Sequence, residues 1–129
     1  MSTIESINSA LEHLESEIPG QVEGTVVASS DGFVITDTLT GPEAEETAAM
    51  VATTMGVSKR MSSTLSAGEV EETTIKGKNR SVFLYRTGDE GVLAVLATAD
   101  ANVGMIHLRA RDAAEKIQSY LTDPSKASA

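Results

Sequence analysis

The segment from Pro42 to Ser66 constrains the fold more than any other stretch of the chain. Placed on a helix at about 100° per residue, Ala44, Ala48, Val51 and Met55 form one apolar stripe. Met50, Val57, Met61 and Leu65 form a second, displaced by roughly a third of a turn. Together they cover about half the circumference, more than the ~100° that a helix lying on one sheet needs. Thr53, Thr54, Gly56, Ser58, Ser62 and Ser63 keep much of the remainder slim. Such a helix is expected to pack against its own sheet and against something else. Thr40-Gly41-Pro42 opens it, and Glu43, Glu45 and Glu46 suit the positive end of its dipole. Ala67-Gly68 is expected to stop it.

The other elements follow from local patterns. Ile4, Ile7, Leu11, Leu14 and Ile18 give a helical stripe, with Ser2 and Glu5 as a capping box ahead of it and Pro19-Gly20 behind. His13, beside that stripe, reads as a solvated imidazole. Gly24–Ser29 and Phe33–Thr36 flank Ser30-Asp31-Gly32, which predicts a hairpin with a tight primed turn, and turn chemistry accounts for Asp31. Glu69–Lys76 reads as a poor, acidic edge strand, Ser81–Tyr85 as a strand, and Val92–Thr98 as a central strand covered on both faces. Asp100 or Asn102 caps a last helix whose apolar face is Val103, Ile106, Ala110, Ala113, Ile117 and Leu121. Its exposed side carries Arg109, Arg111, Asp112, Glu115 and Lys116, and His107 is expected to be packed with one hydrogen bond. The order α-β-β-α-β-β-β-α predicts an α+β fold, a five-stranded antiparallel sheet covered by helices. Residues 1–121 make a single domain and 122–129 a flexible C-terminal tail.

Composition narrows the chemistry. With 129 residues the chain makes one core, and the 3% of aromatic residues leaves that core aliphatic. It has no cysteine, which removes disulfides, thiolate nucleophiles and Cys-based zinc sites, and its two histidines are far apart in sequence. Ten basic against 19 acidic residues give a net charge of −9, a field that repels nucleic acid and anionic membrane surfaces. The longest apolar run is Val92–Ala97, far short of the ~20 residues a membrane helix needs. The Met-Ser-Thr-Ile-Glu start lacks a secretory pattern, so a cytoplasmic location is expected. No phosphate-binding loop, nucleophile elbow or dinucleotide fingerprint occurs. The carboxylates lie on helix starts and an edge strand, where they are solvated and not opposed across a cleft. An adaptor without a catalytic site, metal or cofactor is the better reading than an enzyme.

Two signatures add a resemblance. The hairpin Gly24-Thr-Val-Val-Ala-Ser-Ser-Asp-Gly-Phe-Val-Ile35 and the junction from Val92 through Asn102-Val103-Gly104 to Arg109, set in this element order, resemble the roadblock family. That family comprises dynein light-chain roadblock proteins and the bacterial and archaeal gliding-protein MglB relatives, and the likeness covers about residues 3–121. It implies a profilin-like sandwich, usually dimeric, with the long central helices side by side and the following strand paired with its twofold mate. It implies a platform for a small Ras-like GTPase, as scaffold or as GTPase-activating regulator, with no cofactor of its own.

The surplus apolar face and the resemblance together nominate Met50, Thr54, Val57, Met61, Leu65, Val70, Glu72 and Thr74 as a homodimer or partner interface. Lys59 and Arg60 are candidates for contact with a GTPase. Glu69, Glu71 and Glu72 stand against strand pairing, since two copies would bring six carboxylates near a twofold axis unless Lys76, Lys78 or Arg80 offsets them. Two other readings stay open: a structural scaffold pairing with another roadblock-like subunit or a sensor kinase, and a small-molecule sensor domain.

Overall fold

A computed structural model describes residues 2–39 and 43–128. Among them the chain forms α1 (Thr3–Glu17), β1 (Val22–Ser29), β2 (Val34–Asp37), α2 (Glu43–Thr64), β3 (Glu72–Lys76), β4 (Arg80–Arg86), β5 (Gly91–Thr98) and α3 (Val103–Thr122). A short 3-10 helix, Pro124–Ser128, follows. The expected fold class holds: the five strands make one antiparallel sheet in the order β2-β1-β5-β4-β3. The expected helix opening at Thr40-Gly41-Pro42 lies outside the described residues.

The alternation of each strand divides its side chains between two cores. Val27, Phe83, Tyr85, Leu93, Val95 and Ala97 point to the side covered by α1 and α3, where Ile7, Leu11, Leu14, Ile106 and Ile117 complete the larger core. Val26, Ala28, Leu84, Val92 and Ala94 point to the other side and meet Ala48, Val51 and Met55 of α2. The chain is thus three layers, two helices on one face of the sheet and one on the other. β5 is buried along most of its length, as its near-continuous apolarity predicts.

Caps and turns show where local chemistry decides. Ser2 caps α1 by accepting the Glu5 amide (3.1 Å), and of the two candidates for α3 it is Asn102 that accepts from Met105 (3.1 Å). The β1–β2 connection is not the expected two-residue primed turn. Ser29 and Phe33 close it through Ser29 N–H to Phe33 carbonyl (2.8 Å), leaving a three-residue loop in which Gly32 has a φ of 92°. The Ser29 hydroxyl also accepts the Phe33 amide (3.0 Å), a local bond that widens the loop.

Three other boundaries differ from expectation. The helix stop is not Ala67-Gly68 alone, because Ser66 itself takes the left-handed conformation (φ 56°). Its amide bonds to the Ser63 carbonyl (3.2 Å) and that of Ala67 to the Ser62 carbonyl (2.8 Å), a Schellman motif with serine at the usual glycine position. The edge strand starts at Glu72 and not Glu69, since Val70 turns inward against the α2-side core. The C-terminal segment expected to be a tail turns instead into the 3-10 helix beside α1 and α3, its start fixed by Ser125 bonding to the Asp123 carboxylate.

Candidate functional site

The two stripes of α2 meet different fates. Ala44, Ala48, Val51 and Met55 are buried against the sheet, while Met50, Val57, Met61 and Leu65 are between 55% and 71% exposed. Isolated exposed apolar residues are ordinary, but a row of four on one helix side is not. The sheet explains why the row is left open. α2 packs mainly on β1, β2 and β5 and reaches β4 and β3 only at Leu84 and Thr73, so the Ile75–Val82 end of the β3–β4 pair is left open on that side.

The bare half is itself apolar. Ile75, Val82 and Leu96 line a groove of about 320 Å³ together with Met50, Thr54 and Leu39. Ile75 pairs with Val82 in register, and Ile75 is 49% exposed at the edge of the sheet. The groove thus has a strand floor, a wall on α2, and no cover among the described residues. Gly24 belongs to this design, because a Cβ there would lie 2.3 Å from a Leu39 methyl, in the side chain that closes one end.

The structure brings together Met50, Thr54, Val57, Met61 and Leu65 on one side of α2. Val70 is half-buried nearby, part of the core and not of the open face. Glu72 and Thr74 are placed elsewhere. They pair in register with Tyr85 and Phe83, whose side chains face α3, so Glu72 and Thr74 point to the α3 side of the sheet. Thr73 and Ile75 are the β3 residues that share the α2 face, with the Thr73 hydroxyl donating to Ser58 of α2 (3.0 Å). The groove floor was not among the sequence candidates. Its signal was the alternation of Ile75, Val82, Leu84 and Leu96, readable only once the side occupied by α2 is known.

Glu72 is fixed from across the molecule. Arg111 of α3 donates to both its carboxylate oxygens, through Nε (2.9 Å) and Nη2 (2.6 Å). His107 Nδ1 lies 3.8 Å from the same carboxylate and shares a hydrogen bond with the Tyr85 hydroxyl (2.9 Å), while its ring meets Phe83 edge-on. Hydrogen bonding from Arg111 holds the Glu72 carboxyl below the usual carboxylate range, against a smaller opposing effect of burial. Burial, with Glu72 nearby, pushes the Tyr85 phenol up and keeps it neutral. Glu69 meets Arg86 (3.4 Å). Of the three carboxylates that weigh against pairing of β3 with a second copy, Glu72 is therefore neutralised within the chain, by Arg111 and not by the expected Lys76, Lys78 or Arg80, while Glu69 shares Arg86 with Asp89.

Lys59 and Arg60 are both exposed, but adjacent helical positions point about 100° apart. Lys59 lines a shallow cleft of about 600 Å³ with Ser63, Glu69, Arg86 and Asp89. Neither residue forms an ion pair among the described residues, unlike Arg80, Arg86, Arg109 and Arg111. His13 is exposed, and its ring meets Glu17 (3.0 Å). No group of three or more metal-ligating side chains occurs among the described residues, and no helix there is long and apolar enough to cross a membrane.

Comparison with known proteins bears on this architecture. Residues 13–97 match the Roadblock/LC7 domain. The uncharacterized protein MJ1340 of Methanocaldococcus jannaschii is 34% identical over 99 residues, 76% of this chain and 86% of that protein. Among solved structures, a Roadblock/LC7 domain from Streptomyces avermitilis superposes with a TM-score of 0.82 at 20% identity, covering 88% of this chain and 96% of that one. The gliding protein MglB of Thermus thermophilus gives 0.82 at 17% identity, covering 92% and 90%. Profilin IA of Acanthamoeba castellanii gives 0.57 at 11% identity over 84% and 96%, which makes the sheet and its helices profilin-like. The family match spans well over half of the chain, and the chain belongs to the Roadblock/LC7 domain family.

Proposed function

We propose that this protein is a non-catalytic cytoplasmic platform that self-associates through α2 and β3 and, as a homodimer, binds and regulates a small Ras-like GTPase. One observation carries the reading. The exposed row Met50, Val57, Met61 and Leu65 runs into the uncovered floor of Ile75, Val82 and Leu96, a continuous apolar surface with room for a second helix beside α2. A twofold contact between identical copies satisfies both α2 helices at once. Methionine side chains suit such a face, being flexible and polarizable. Neutralisation of Glu72 by Arg111 within the chain supports a role for the β3 edge beside it. The GTPase partner is supported by membership of the family and by likeness to MglB, with the unpaired Lys59 and Arg60 as candidate contacts for acidic surface.

The test has two arms. Sedimentation should give a concentration-dependent mass, with Met61→Glu and Val57→Arg each returning a folded single chain; a wild-type protein that stays single at all concentrations rejects self-association. Pull-downs with small GTPases loaded with GDP or GTP should show nucleotide-dependent capture that Lys59→Glu/Arg60→Glu weakens. Capture of none of them in either state rejects the regulatory reading, and a stable complex with another roadblock-like subunit favours the scaffold alternative.

A further inference from the structure

On the side of the sheet away from α2, the Lys76 end of the β3–β4 hairpin carries a recess of its own. Its origin lies in the path of α3. That helix begins at Val103 beside the recess and reaches β3 only at the strand's other end, where Arg111 holds Glu72. Sheet residues Thr74, Lys76 and Ser81 are left beneath a space of about 370 Å³, with Phe83, Asp100 and Val103 around it.

Ser81 gives the recess its chemistry. It is only 6% exposed, stands opposite Lys76 and Ala97 in register, and its hydroxyl makes no hydrogen bond among the described residues. The oxygen is not sealed in the core but open to the recess, so it is free to bond a group held there. The groups around it are mostly donors. The Thr74 hydroxyl and the Lys76 ammonium also lack partners among the described residues. Asn102 takes the Met105 amide, and the amide of Val103, which lines the recess at the positive end of a 20-residue helix, has no partner among the described residues. Lys78 and Arg80 add positive charge to the hairpin, although Arg80 is engaged by Glu23 (3.0 Å). In a chain of net charge −9, this is a local reversal of sign.

We propose that the recess binds the phosphate group of a small hydroxylated phosphate monoester. Ser81, Thr74, Lys76 and the first turn of α3 donate to the phosphate. Asp100, the one carboxylate at the rim, disfavours a bare phosphate and accepts from a neighbouring hydroxyl of the ligand. The site does not touch the α2 face, so its test is independent of self-association.

The experiment is a titration of the isotopically labelled chain with ribose 5-phosphate, inorganic phosphate and, at matched ionic strength, sodium chloride, followed by amide resonances. Saturable shifts confined to residues 74–81 and 100–104 are expected, with ribose 5-phosphate binding more tightly than inorganic phosphate. Ser81→Ala and Lys76→Gln should each weaken binding about tenfold, the loss of one hydrogen bond to a charged group. Asp100→Asn should remove the preference for the sugar phosphate. Lys76 is exposed, so that variant keeps the fold whatever Ser81→Ala does. Shifts that chloride reproduces, that do not saturate, or that survive Lys76→Gln unchanged overturn the proposal, and equal affinity for the two phosphates overturns the role of Asp100.

Discussion

Glu72 illustrates how one side chain on an exposed edge becomes part of a fold. Its carboxyl, held below its ordinary value of 4.5 by the hydrogen bonds of Arg111, is more acidic folded than unfolded. A group of that kind contributes stability above its unfolded pKa and loses it as pH falls through the folded one. Wild type should therefore be more stable than Glu72→Gln near neutrality, with the gap closing below about pH 4.5 in denaturant titrations run across pH. Arg111→Ala should bring the Glu72 titration back toward the ordinary carboxylate range, visible in side-chain carbonyl shifts. Ser66 offers a test of the opposite sign. Its φ of 56° is disfavoured for any residue with a Cβ, so Ser66→Gly should raise stability by about 0.5–1 kcal/mol, read as a higher denaturation midpoint with unchanged m-value. Neither feature could be read from the sequence. Arg111 lies 39 positions from Glu72, a distance closed only by the course of α3 across the sheet, and nothing intrinsic to serine announces a left-handed cap.

Among the elements, α2 divides its circumference between a stripe buried in the core and a stripe left exposed. Met55 is buried in the smaller core and Met61 is not, though both are methionines on one helix. Met55→Ala should cost about 2–5 kcal/mol in chemical denaturation, as a large-to-small change in a packed core does. Met61→Ala should change the stability of the dilute single chain by no more than about 0.5 kcal/mol, as an exposed substitution does. Equal effects at the two positions would show that the second stripe is sealed. This division was legible because helical period depends on spacing alone: Ala44, Ala48, Val51 and Met55 fall on one stripe and Met50, Val57, Met61 and Leu65 on the other. Strand β3 was less legible. Glu69, Val70 and Glu71 look like strand residues by position, yet Val70 is drawn into the α2-side core and pairing begins only at Glu72. Which face Glu72 and Thr74 occupy depended on that shifted start, because alternation turns a boundary error into an error of side.

At the scale of the whole molecule, cover is uneven. α1 and α3 close one side of the sheet over most of its width, whereas α2 closes about half of the other, and β3 is tied to the body through β4, the Glu72–Arg111 pair and the Thr73–Ser58 hydrogen bond. Hydrogen exchange should reflect this ordering. Amides of β1, β4 and β5 are expected to exchange slowly, and those of β3 that do not bond β4 rapidly in dilute protein and more slowly as concentration rises. Concentration-independent exchange at β3 would count against its part in self-association. The two borders of the sheet are also unalike. β2 is only four residues long and sits next to an irregularity in register between Val27 and Ala28, while β3 pairs with β4 without a register shift and is exposed from Thr74 to Lys76. A ribbon with one joinable margin has nowhere to continue once that margin is used. Under the proposed self-association, joining along that margin would end in a closed pair, and the same asymmetry that exposes β3 would keep the chain from growing into a fibre.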